Sequence, residues 1–101
     1  MKTKPFDIKK IQINIQSSHP EITLPVNNYI NSLIEKMRTK YPRIERCDVQ
    51  LKELKDKKRN FEVIAEVFIP GFALFASAHN SNIRLSVKLA FAKMQRSLAG
   101  L

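Results

Sequence analysis

Ile83, Val87, Ala90, Phe91, Met94 and Leu98 recur at steps of three and four. That spacing sets them on one arc of a helix, and any fold this chain adopts has to bury that arc. Arg84, Lys88, Lys93 and Arg96 fall outside the arc with no acidic residue among them, since the last of the nine Asp and Glu residues is Glu66. A charged helix face is often just a solvated one, but a face made for solubility normally mixes both signs. In a chain of net charge +9 with 18 Lys and Arg, an uncompensated basic face reads instead as a docking surface for a polyanion.

The remaining elements follow from changes of period. Ile11, Ile13 and Ile15 alternate with Gln12, Asn14 and Gln16, the pattern of a half-buried strand, which Pro20 closes. Thr23 is then the expected cap of a first helix, with Pro25 tolerated in its first turn. Val26, Ile30, Leu33, Met37 and Tyr41 form its apolar stripe and Pro42 ends it. Lys36 and Lys40 lie along one flank of that stripe.

From Ile44 the period returns to two, with Cys47, Val49 and Leu51 inward. The charged stretch Lys55 to Asn60 reads as a hairpin loop. A third strand puts Phe61, Val63, Ala65 and Val67 on one face and Glu62, Ile64, Glu66 and Phe68 on the other. Pro70-Gly71 turns into a fourth strand over Phe72 to Ala78, and His79 to Asn82 offers loop and cap residues for the last helix. The order β-α-β-β-β-α gives an α+β fold in which a four-stranded sheet hides both helical stripes on one face. The first two strands are parallel if adjacent, because a helix crosses between them. The 101 residues are read as one domain, with a loose arm at about residues 1–8.

Several function classes are disfavoured. His19 and His79 sit in no metal-ligand or nucleophile pattern, and the two glycines, Gly71 and Gly100, make no phosphate-cradling loop. No enzyme activity, metal or cofactor is expected. Single Cys47 reads as a buried thiol in a reducing, cytoplasmic setting. The N-terminus has no apolar run of signal-peptide type, and no stretch is apolar over the ~18 residues a membrane span needs.

Ile13-Asn14-Ile15, Glu21-Ile22-Thr23, Ala76-Ser77-Ala78 and the closing Lys93-Met94-Gln95-Arg96-Ser97-Leu98, in that order, resemble the ribosome hibernation promoting factor family, also called the ribosome-associated inhibitor or sigma modulation family. The resemblance runs from about Gln12 to Leu98. It implies a fold like that of double-stranded-RNA-binding domains. It also implies docking in the mRNA–tRNA channel of the small ribosomal subunit, where such proteins block translation in resting cells. By position, Lys36, Lys93 and Arg96 match the family's basic residues; charge patterning adds Lys40, Arg84 and Lys88 as RNA contacts. Asn82 stands where the family usually has Asp, Arg84 where it has Tyr, and Leu89 where it has a polar or acidic residue. No second domain follows the last helix, so the ribosome pairing that long members owe to theirs is not expected of this chain.

The partners expected are therefore the small subunit and its rRNA, with no membrane and no small-molecule substrate. Leu85 and Leu89, one turn apart among the cations, mark a second candidate surface for a homodimer or a ribosomal protein. The alternative function rests on that pair alone: a protein-interaction module that does not bind RNA.

Overall fold

In the computed structural model, residues 11–17, 19–55 and 59–101 are described. The expected arm at residues 1–8 and the middle of the charged hairpin loop, residues 56–58, lie outside them. The elements are β1 (Gln12–Ser17), α1 (Pro20–Lys40), β2 (Arg46–Lys55), β3 (Arg59–Ile69), β4 (Phe72–Asn80) and α2 (Ile83–Ala99). The four strands form one sheet in the order β1-β2-β3-β4. β1 pairs parallel with β2, and the other two pairings are antiparallel.

Register puts the period-two apolar residues of all strands on one side. Ile13 lies beside Cys47, Cys47 beside Val67 and Val67 beside Leu74, so each strand turns its small or branched residues toward the helices. Those residues pack with Ile22, Val26, Ile30, Ile34 and Met37 of α1 and with Val87, Ala90, Phe91, Met94 and Leu98 of α2 into one core. The stripe expected for α2 is the one buried. On α1 the buried row runs through Ile22 and Ile34, while Leu33 and Tyr41 are only half-buried. Val26, Ile30 and Met37 of the expected stripe are buried as expected, whereas Leu33 and Tyr41 flank the row and Ile22 and Ile34 complete it.

α1 also starts earlier than Thr23. His19 takes the extended cap conformation, Pro20 occupies the first turn and Pro25 sits inside the helix. Pro20 thus opens a helix, its missing N–H being one that the first turn leaves unpaired anyway. At Pro25 the missing N–H removes a bond that the Glu21 carbonyl would otherwise accept. Pro25→Ala restores that donor and relieves the ring, at the cost of a freer unfolded chain. The net expectation is a gain of roughly 1–2 kcal/mol, read as a raised urea midpoint at unchanged slope. A helix beginning at Thr23 would instead lose stability on this substitution.

At the other end, Pro70 and Gly71 close a two-residue turn between the paired Ile69 and Phe72. Gly71 has φ +99°, which a residue with a Cβ rarely adopts. β4 extends to Asn80, two residues beyond the expected Ala78, so His79 belongs to a strand opposite Glu62 and not to a loop. Asn82 then caps α2, its Oδ1 accepting from the Leu85 N–H at 3.0 Å. Ser86, the one buried polar side chain among the described residues, has its hydroxyl 3.0 Å from the carbonyls of both Phe61 and Asn82. That hydroxyl ties the first turn of α2 to β3.

Cys47 is buried with no disulfide partner. Burial pushes its thiol up to about 12, with the Asp48 charge adding to the effect. It will resist alkylation at pH 8 in the native protein and react fully once unfolded in guanidinium, which a thiol-labelling time course followed by mass spectrometry checks.

Candidate nucleic-acid interface

The two faces of the molecule differ in charge. On the open side of the sheet, acids and bases are mixed and engaged with one another. Arg46 lies across Asp48 with Nη2 2.7 Å from Oδ2, Asn14 Nδ2 donates to Asp48 Oδ1 at 2.8 Å, and the Arg46 guanidinium stacks on the Phe68 ring at 4.2 Å. The hydrogen bond from Arg46 and then that from Asn14 hold the Asp48 carboxyl below its ordinary range, against the opposing effect of partial burial. A cleft of about 370 Å³ on this side is lined by both Arg46 and the carboxylates of Asp48 and Glu66. Such a surface does not attract a polyanion.

The helix layer is different. Arg84 of α2 stacks on the Tyr29 ring of α1 at 3.9 Å, which fixes the flanks on which the helices face each other. Tyr29, half-buried against the core, is thus also the platform that orients Arg84, a contact worth ~0.5–1 kcal/mol at an exposed site. Lys36 and Lys40 follow Tyr29 by seven and eleven residues and so share its flank of α1. Lys88 follows Arg84 by one turn on α2. Lys36, Lys40, Arg84 and Lys88 therefore border one interhelical groove. All four are exposed.

Lys93 and Arg96 lie elsewhere. The Lys93 ammonium donates to the Ser77 carbonyl of β4 at 2.8 Å, so its row of α2 faces the sheet edge rather than α1. Arg96 is one turn further along the same flank. Leu85 and Leu89, eight and four residues before Lys93, belong to this row as well, and are 40% and 39% exposed. The six basic candidates are thus split into a groove set of four and an edge set of two. No helical-wheel argument could show this, because only the strand beside α2 tells its two flanks apart.

None of the six enters an ion pair among the described residues. Ion pairs between described residues form elsewhere, at His19–Glu21, Glu35–Arg38 and Arg46–Asp48. The α2 N-terminus adds to the field, since its first turn holds no acid and its cap, Asn82, is neutral. Among the described residues no cluster of His, Cys, Asp or Glu could hold a metal ion, and no helix is long and apolar enough to cross a membrane.

Residues 13–100 match the family model described as sigma 54 modulation protein / S30EA ribosomal protein. The chain belongs to that family. Membership in the sigma 54 modulation / S30EA family implies association with the ribosome and bears out the resemblance drawn from the four motifs above. A search of curated proteins finds no match. Among solved structures, the fold is shared with a ribosomal subunit interface protein from Coxiella burnetii (TM-score 0.77, 17% identity, 89% of this chain and 96% of that one). It is shared also with the N-terminal domain of Thermus thermophilus Protein Y (TM-score 0.69, 16% identity, 87% of this chain and 93% of that one).

Proposed function

We propose that this family member is a hibernation factor that occupies the mRNA–tRNA channel of the small ribosomal subunit by binding its rRNA through the basic helix layer, and so inhibits translation. The observation that carries the reading is the groove between α1 and α2, where Lys36, Lys40, Arg84 and Lys88 line one trough with no carboxylate paired to them among the described residues. A-form RNA presents phosphates and 2′-hydroxyls rather than base edges, so spaced cations on a rigid helix pair can recognise its shape without reading its sequence. Arg84, held flat on Tyr29, suits two-pronged contact with phosphate oxygens, and the three lysines act as point charges. Lys93 and Arg96 remain RNA contacts in this reading but outlying ones, on the far flank of α2.

Co-sedimentation with purified small subunits over a salt series tests it. Binding should fall steeply, with a log–log slope of roughly 0.7–0.9 for each phosphate neutralised. Binding that barely changes between low and moderate salt would defeat the RNA reading. It would favour the alternative, protein contact through Leu85 and Leu89.

A further inference from the structure

The bond from Lys93 to Ser77 plays no part in the groove and points to a second surface. β4 is an outer strand of the sheet, nine residues long and paired on one side only. In an antiparallel ladder, alternate residues turn their N–H and C=O to opposite sides. The Ser77 carbonyl meets Lys93 at the edge, so Ala73, Phe75 and His79 direct their peptide groups outward too. Outer strands normally carry guards against pairing: a charge, a proline or a bulge. From Phe72 to Ala78 there is no charged residue and no proline, and the pairing with β3 runs without a bulge. Lys93, reaching over from α2, is the guard.

The surroundings make this edge a receptor. α2 packs more extensively on β4 than on β3, so its outer row lies along the free edge. That row reads Leu85, Leu89, Lys93, with Arg96 beyond: two exposed apolar side chains followed by two cations. On the opposite side of the sheet Phe75 is 65% exposed beside the same edge. We infer that the β4 edge and the Leu85–Arg96 row together form a docking surface for an extended acidic–apolar strand of a partner protein. Ladder hydrogen bonds would supply affinity, and alternate side chains would meet the helix row. An apolar residue covers Leu85 and Leu89, and a carboxylate meets Lys93 and Arg96. The incoming strand takes over the Ser77 carbonyl, and the displaced ammonium gains a carboxylate, so neither group is left unpaired.

A second copy of this chain fits less well. Pairing two β4 edges about a dyad sets Lys93 and Arg96 of both copies across the same seam, and like charges opposite one another destabilise a pairing. Nothing from Val67 to Leu101 is acidic and able to offset them.

The test is a titration of the isotope-labelled full chain, followed by backbone amide and methyl NMR, with a peptide of roughly seven residues whose alternate positions read Val, Val, Glu, Glu with Thr between them, so that one face carries both the apolar and the acidic groups. The same peptide with Lys in place of Glu and a short RNA hairpin serve as separate arms. The acidic peptide should move the amides of Ala73, Phe75, Ser77 and His79 and the methyls of Leu85 and Leu89, while the basic peptide leaves them in place. Leu89→Glu should weaken the acidic peptide about tenfold without altering small-subunit binding. Shifts confined to Tyr29 and Arg84 would overturn the inference, as a mere polyanion response. So would shifts at the β4 edge produced by RNA in preference to peptide, or by raising protein concentration alone, the mark of a self-dimer. Unaltered small-subunit binding in Leu89→Glu keeps this result separate from the fate of the RNA reading.

Discussion

Reversing Arg84 and Lys88 together to Glu is expected to lower affinity for the small subunit at least a hundredfold at moderate salt. Each cation stands for a hydrogen bond to a charged group, worth roughly 1.5–3 kcal/mol. Losing both therefore removes about 3 kcal/mol even before the new carboxylates repel the backbone phosphates. The salt slope should fall by about 1.4–1.8, the share of two neutralised phosphates. Lys93→Glu with Arg96→Glu, on the edge flank, should cost less than about tenfold and shift the slope by less than one phosphate's worth. Tyr29→Ala gives an intermediate loss, because it keeps the Arg84 charge and removes only the ring that orients it. Equal losses from the groove pair and the edge pair would show that position along the helix layer is irrelevant. The groove reading would then be replaced by one of diffuse charge. Reversal is read against thermal stability, which the exposed charge substitutions should leave within about 0.5 kcal/mol, while Tyr29→Ala, which also removes packing on the core, is compared per folded molecule.

That contrast also marks where sequence reasoning stopped. Periodicity exposed the stripe of α2 and the alternation of the first three strands, because each depends on which side of one element is buried, and the Pro70-Gly71 dipeptide marked its turn. The parallel pairing of β1 with β2 followed from the helix crossing between them. The entry to α1 was misplaced because Pro25 looks like a first-turn residue, and nothing local reveals that Pro20 has already taken that role. Ile34 was passed over in favour of Leu33 for a related reason. Both lie near the apolar stripe, and only the sheet beneath decides which is at its centre. The cations were identified as a set, whereas their division into groove and edge depends on Tyr29 and Ser77, residues 55 and 16 positions away from Arg84 and Lys93. Such distances in sequence are invisible to any windowed pattern. The Leu85–Leu89 pair was visible as an anomaly, but the β4 edge that explains it required the strand order.

Phe91→Ala is expected to be the most damaging single core substitution. Phe91 is 1% exposed and heads the large side chains buried in the core. It follows Arg84 by two turns, and so lies on the α1 side of α2, at the floor of the groove whose rim Arg84 and Lys88 form. Phe→Ala truncations of this kind cost about 3–5 kcal/mol, the lost transfer of the ring plus the void left where neighbours relax only partly. Against the roughly 5–15 kcal/mol that holds a domain of this size, such a loss would lower the melting temperature by at least about 12 °C. Urea unfolding at 10 °C should show the midpoint collapse at nearly constant slope. Phe91→Leu, which keeps most of the volume, should lose less than about 1.5 kcal/mol. The groove gives this prediction its second half. α1 and α2 are held at their spacing by the packing beneath the cations, so a folded fraction of Phe91→Ala should bind small subunits more weakly than its folded population accounts for, although every basic residue is intact. Binding that tracks the folded fraction alone would show that the cations act through their charge, indifferent to the spacing of the two helices.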